Sequence, residues 1–154
     1  MIYISQILYN FGKKIGCGYG GQYLLLDQYI DIDNYTLADL PEVNLLIKKY
    51  LSKFQLNSNY KFIEEKDLYN EYKFDFVISN YAFSELPPYL QKLYLKSIIK
   101  NSKNGYMIMN SGTEKNIFQN HLSLDEIKKY IPNMKIIDEM PLTAKGNYII
   151  TWNE

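Results

Sequence analysis

Four glycines within six positions, in Ile15-Gly16-Cys17-Gly18-Tyr19-Gly20-Gly21, constrain this chain more than any other stretch. Glycine permits a backbone to turn tightly or to approach another group closely. The apolar run Leu24-Leu25-Leu26 comes next, where the first helical turns would lie. Strand, glycine turn and helix in that order make a crevice for a nucleotide-like ligand. A glycine-rich loop taken alone is also an ordinary turn, so its meaning depends on the rest of the chain.

The chain has room for one core. With 154 residues, 47% hydrophobic and 22% charged, it reads as a single globular domain over 1–154. Its 17 basic residues are all Lys and are matched by 17 acids, for a formal net charge of +0. A balanced chain without Arg is a poor nucleic-acid binder. The single Cys17 excludes an internal disulfide and a Cys-based metal site, and one His among scattered acids makes no metal centre. Residues 1–10 carry no secretory leader and no apolar run is long enough to span a bilayer. No membrane partner and a cytoplasmic location are therefore expected.

The pattern along the chain alternates strands and helices. A loose apolar alternation over 1–11 suggests a short strand or an irregular approach to the loop. Lys13-Lys14-Ile15 makes a poor central strand, because such strands are apolar on both faces; like Lys48-Lys49 and Lys128-Lys129, the Lys13-Lys14 pair reads as a solvated face. Helical spacing is expected over 21–30 and 42–54. The second of these presents Val43, Leu46, Ile47, Tyr50, Leu51 and Phe54 as a core stripe. Strands are expected at 35–38, 60–63, 74–79 and 106–110, with 101–105 as a polar stop after a helix opened by Pro87-Pro88. Ser123-Leu124-Asp125-Glu126 has the spacing of a capping box. Two last strands, 135–138 and 148–152, would form an antiparallel hairpin at one sheet edge. This order calls for an open, mostly parallel seven-strand sheet covered by helices, a Rossmann-like α/β fold.

Asp39 ends the second strand nineteen positions after Gly20. An acid at about that distance from a glycine loop accepts hydrogen bonds from both hydroxyls of a ribose, because a carboxylate is an acceptor with two prongs. The plainer reading is a helix cap before Leu40-Pro41.

Together these segments resemble class I S-adenosylmethionine-dependent methyltransferases, and more narrowly putative sugar O-methyltransferases of bacterial polysaccharide and antibiotic clusters. The residues that carry the resemblance are Gly16 to Gly21, Tyr35-Thr36-Leu37-Ala38-Asp39-Leu40-Pro41-Glu42-Val43 with Tyr50-Leu51, the fourth-strand stretch from Phe74 to Leu86, and the ending Pro141-Leu142-Thr143 with Gly146 to Trp152. The resemblance implies S-adenosyl-L-methionine as cofactor and a hydroxyl of a sugar or related small molecule as methyl acceptor. Gly16, Gly18 and Gly20 would line the methionine and ribose, Asp39 would hold the ribose, and Leu40 would pack on the adenine. Glu64 or Glu65 would face the adenine amine, and Asn80 and Tyr81 would sit near the transferring methyl.

A hydroxyl is a weak nucleophile and needs a base. Glu85, near the mouth of the fourth strand, and His121, the only histidine, are the candidates. Two departures stand out. Lys14 occupies the place of the family's acid, and no N-terminal helical region is recognisable before Ile15. A homo-oligomer or a separate N-terminal partner segment would complete such a chain. The rival readings are a weak or inactive methyltransferase-like binding module and, further off, an NAD-dependent enzyme. Cys17 reads as a space-filler within the turn.

Overall fold

The computed structural model describes residues 12–110 and 122–153. The elements in chain order are β1 (Gly12–Ile15), α1 (Gly21–Tyr29), β2 (Asn34–Ala38), α2 (Pro41–Leu51), β3 (Asn59–Ile63), β4 (Phe74–Asn80), α3 (Ala82–Glu85), α4 (Pro88–Ser97), β5 (Ser102–Met109), α5 (Leu124–Lys128), β6 (Lys135–Asp138) and β7 (Tyr148–Asn153). Short 3-10 turns occupy Glu65–Tyr69 and Ile99–Asn101. The strands form one sheet in the order β3-β2-β1-β4-β5-β7-β6. Strands β1 to β5 run parallel, and β7 lies antiparallel to both β5 and β6. The expected mixed seven-strand sheet with its closing hairpin is thus present. Residues 1–11, where a short strand or an irregular approach is expected, and His121 lie outside the described residues.

Strand pleating sends alternate side chains to two separate cores. On one face Ile15, Val77, Phe83, Leu95, Ile98 and Met107 pack together; on the other Cys17, Tyr23, Tyr35, Leu37, Ile47 and Leu51 do so. Tyr23 stacks on Tyr35 with ring centroids 4.8 Å apart.

The poor strand turns out to be the centre of the sheet. Lys13 and Lys14 lie in β1, between β2 and β4, and both are buried. The Lys13 amine is enclosed by the rings of Phe74, Tyr72 and Tyr94, at 5.0, 5.4 and 6.0 Å from their centroids, and has no hydrogen-bond partner. Burial pulls its pKa down to about 6. The long methylene stem fills core volume, and the amine, neutral at pH 7, lies among the aromatic rings. Burial also lowers the Lys14 amine, opposed by the nearby Cys17 and Asp39. Neither lysine is the solvated pair expected from its charge.

Strand β5 begins at Ser102, four residues before the expected start, because its glycine is a packing site rather than a stop. The indole of Trp152 covers Gly105 so closely that an ideal Cβ there would lie 1.9 Å from Cζ2. The buried indole N–H donates to Ser102 Oγ at 3.1 Å.

Helix α2 ends at Leu51, short of Phe54, and Leu46 and Phe54 of its predicted core stripe are exposed; Ile47, Leu51 and Asn44 face inward. On α1 the buried face is Tyr23 and Asp27, while Leu25 and Tyr29 are exposed. Asp27 accepts from the backbone N–H groups of Asn57 (2.9 Å) and Ser58 (2.8 Å) and from the Ser58 hydroxyl, which ties α1 to the turn before β3. Burial works against its ionisation, but these hydrogen bonds outweigh it and hold the carboxyl below its ordinary range. The capping box at Ser123 and Glu126 forms as expected.

Candidate functional site

Parallel strands that end side by side leave a crevice at their carboxyl ends. Here the ends of β1 and β2 open into a cavity of about 440 Å³. Its floor is Ile15, Gly16 and Ala38; Asp39, Leu40 and Pro41 form one wall, Glu64, Glu65 and Lys66 a second, and Ala82, Glu85, Leu86, Leu90 and Tyr94 a third. Most of the lining is apolar, with polar groups at the rim, as expected of a small-molecule site. Four carboxylates face one amine, and Glu64 already pairs with that amine on Lys66 at 2.7 Å. The remaining field favours a ligand with positive charge.

The glycine loop is shaped around this cavity. Gly16 has φ +72°, and a Cβ on it would lie 2.1 Å from Ala82 Cβ. The loop after β1 and the turn after β4 therefore touch, with no room for a side chain between them. Gly18 and Gly20 also have positive φ, and Gly20 is the N-cap of α1.

Asp39 joins loop and strand. Its Oδ2 accepts from the Cys17 backbone N–H at 2.5 Å and its Oδ1 from that of Leu40 at 2.9 Å. It does not cap α2, whose N-cap is Leu40 with no side-chain bond. A carboxylate has about four lone-pair sites, so two remain for a ligand. The Cys17 thiol is buried beneath the loop, 3.4 Å from the carbonyl of Lys14, and burial first, then Asp39, pushes its pKa up to about 12. It is a spacer and not a nucleophile.

Of the residues singled out in sequence, the cavity brings together Gly16, Asp39, Leu40, Glu64 and Glu85. Glu85 is exposed at the rim, and its Oε1 accepts from Asn110 Nδ2 at 2.9 Å. Gly18, Gly20, Asn80 and Tyr81 stand outside the cavity lining. Asn80 Nδ2 donates to Gln22 Oε1 on α1 at 3.1 Å. Tyr81 has φ 63° and ψ −35°, and its hydroxyl donates to Glu139 Oε1. Lys14 points to the face opposite Ile15, beside its register partners Leu37 and Ile78, and does not line the cavity. His121 lies outside the described residues.

Sequence reading missed Ala82, Leu86, Leu90 and Tyr94 as cavity residues. Leu90 and Tyr94 carried a signal, the apolar stripe of α4, but that stripe serves core and cavity together. Among the described residues no group of His, Cys, Asp or Glu could hold a metal ion, and no helix is long and apolar enough to cross a membrane.

No protein-family model matches the sequence, and neither does any curated protein. Solved structures do match in fold. The PH0226 protein from Pyrococcus horikoshii OT3 superposes with a TM-score of 0.69 at 13% identity, over 98% of this chain and 84% of that one. An S-adenosylmethionine-dependent methyltransferase from Clostridium acetobutylicum ATCC 824 does so at 0.67 and 12% identity, over 97% and 87%. The methyltransferase domain of bacterial CtHen1 gives 0.65 at 10% identity, over 96% and 90%. At such identities the likeness is one of fold. The order β3-β2-β1-β4-β5-β7-β6 and the shared architecture make this chain a Rossmann-like α/β methyltransferase fold, its mostly parallel sheet closed by an antiparallel hairpin.

Proposed function

We propose that the chain binds S-adenosylmethionine in the β1–β2 cavity and transfers its methyl group to a hydroxyl of a sugar or related small acceptor. The observation that carries this reading is Asp39: a carboxylate at the end of β2, fixed to the glycine loop and facing the cavity with acceptor capacity to spare. The surroundings fit the ligand's chemistry. Leu40, Pro41 and Tyr94 offer apolar walls to an adenine, and the rim acids suit a cationic sulfonium. When bound, S-adenosylmethionine supplies an electrophilic methyl on positively charged sulfur.

This chain's residues then bind, orient and move a proton. Asp39 accepts from the ribose hydroxyls. Glu64 accepts from the adenine amine, and Gly16, Gly18 and Gly20 allow the loop backbone to approach the ligand. Asn80 and Tyr81, at the end of β4 outside the cavity lining, are the residues we assign to the side from which the methyl is transferred. Glu85 takes the proton of the acceptor hydroxyl as it becomes nucleophilic, with Asn110 orienting its carboxylate. His121 is a second candidate for that role. An NAD enzyme is disfavoured by the sheet itself, because the dinucleotide fold adds its sixth strand parallel at the edge, where this chain inserts the antiparallel β7.

The test is transfer of labelled methyl from S-adenosylmethionine to a panel of hydroxylated sugars and small phenols. Transfer to a sugar, lost in Glu85→Gln with cofactor binding retained, is the expected result. Cofactor binding without transfer to any member would contradict the acceptor class.

A further inference from the structure

The turn that brings Ala82 to the glycine loop is held from a distant part of the chain. Among the described residues Tyr81 is the one non-glycine with positive φ. An L-residue enters that region only when its surroundings over-determine it. Its backbone is held by three hydrogen bonds: Tyr81 N–H donates to the Ile108 carbonyl of neighbouring β5 at 2.9 Å, and the Tyr81 carbonyl accepts from the Ser84 N–H at 3.0 Å and the Ser84 hydroxyl at 2.6 Å.

The side chain is held separately. The Tyr81 hydroxyl reaches the link between β6 and β7, where it donates to Glu139 Oε1 and lies 2.9 Å from Thr143 Oγ1. Glu139 is itself 5% exposed. Its Oε2 accepts from the Thr143 N–H at 2.9 Å and the Thr143 hydroxyl at 2.7 Å, and Asn147 Nδ2 donates to Thr143 Oγ1 at 3.1 Å. The bond from Tyr81, then those from Thr143, keep the Glu139 carboxyl below its ordinary range, so it is an ionised acceptor at neutral pH.

We infer that Glu139 is a positioning residue for the cavity: by holding the Tyr81 side chain it fixes the backbone turn that seats Ala82 against Gly16 and carries Glu85 to the rim. The linkage is one of geometry. Residue 81 sets the direction in which α3 leaves β4. Ala82 is the next residue, and it sits where a side chain on Gly16 would be. Releasing the Tyr81 ring removes the side-chain restraint on a conformation that tyrosine does not favour. α3 then keeps only its remaining anchors, such as the Phe83 N–H to Ser79 Oγ at 3.1 Å and the Asn110 N–H to Ser84 Oγ at 3.0 Å, and the third wall of the cavity is less firmly fixed. Neither Glu139 nor Thr143 lines the cavity, so their effect on a ligand there passes through Tyr81.

This inference rests on the cofactor reading for its affinity readout, and has a second readout that does not. Glu139→Gln and the milder Thr143→Val are compared with the parent by amide hydrogen exchange without ligand and by calorimetric titration with S-adenosylhomocysteine. Faster exchange confined to Phe83, Ser84 and Leu86 is expected, with affinity about tenfold weaker in Glu139→Gln, the scale of one charge-assisted hydrogen bond. Tyr81→Phe should lose affinity similarly. Tyr81→Gly, whose backbone adopts positive φ without a latch, should retain more of it. Unchanged exchange in 82–86 overturns the inference whether or not the parent binds cofactor. So does an altered exchange pattern with affinity equal to the parent's. If the parent binds nothing while exchange rises at 82–86, the latch stands and the cofactor reading falls.

Discussion

The Cys17 backbone N–H points at Asp39 Oδ2 from 2.5 Å, across twenty-two positions of sequence, so the glycine loop and the end of β2 form one unit before any ligand arrives. A residue expected to bind ribose is also a structural clamp. The two roles are compatible because one carboxylate oxygen can accept more than one hydrogen bond. Removing the carboxylate should therefore loosen the loop as well as weaken the ligand.

Gly16 is the position with least tolerance. Gly16→Ala places a Cβ 2.1 Å from Ala82 Cβ at a φ of +72°. Strain and overlap together should cost about 2–4 kcal/mol, read by urea unfolding. Gly16→Ala with Ala82→Gly should recover part of the loss, since the overlap goes and the strain stays. Equal stability of Gly16→Ala and parent would contradict this packing.

Lys13 gives the chain a pH dependence with a definite sign. Its amine has a pKa of about 6 in the folded protein against 10.5 when free. Between those values the unfolded chain binds the extra proton, so this residue makes stability rise as pH rises from 6 toward 10.5. At pH 7 keeping it neutral costs about 5 kcal/mol. Lys13→Met should raise the unfolding free energy at pH 7, with a gain that shrinks toward pH 10. A gain independent of pH, or one that grows with pH, would place the amine in water.

Asp27 is the mirror case. Its carboxyl is held below the ordinary range, so its contribution is present at neutral pH and is lost as pH falls through the folded value. Asp27→Ala leaves the N–H groups of Asn57 and Ser58 without their acceptor and should cost about 2–4 kcal/mol at pH 7. The difference between parent and variant should narrow in acid, measured by denaturant unfolding across pH. A constant difference would contradict the assignment.

The elements that were legible in sequence are those in which local pattern and tertiary role agree. The Pro41 helix, the hydrophobic β4, the capping box at Ser123 and the closing hairpin all obey period or cap rules. Asp39 was legible because a spacing encodes it. The failures at Lys13 and Gly105 share one cause, which is that charge and glycine were read by their usual environments. Lys13 fits a core because three rings surround its amine, and no local pattern announces rings from Tyr72, Phe74 and Tyr94. Gly105 sits mid-strand because Trp152, forty-seven residues later, occupies its missing side chain. Lys14 read as a reversed charge beside the ligand, but the pleat turns it away from the cavity floor. Glu139 had no signal at all, and Thr143 stood only within the C-terminal stretch of the resemblance, since the importance of both lies in reaching Tyr81 across the fold.

The central claim is that the β1–β2 cavity is an S-adenosylmethionine site governed by Asp39. Calorimetric titration of the intact chain with S-adenosylmethionine tests it most directly. Saturable one-to-one binding is expected, weakened about tenfold or more in Asp39→Ala, the scale of losing a charged acceptor. Absence of binding by the parent at millimolar ligand, or equal affinity in Asp39→Ala, would contradict the account.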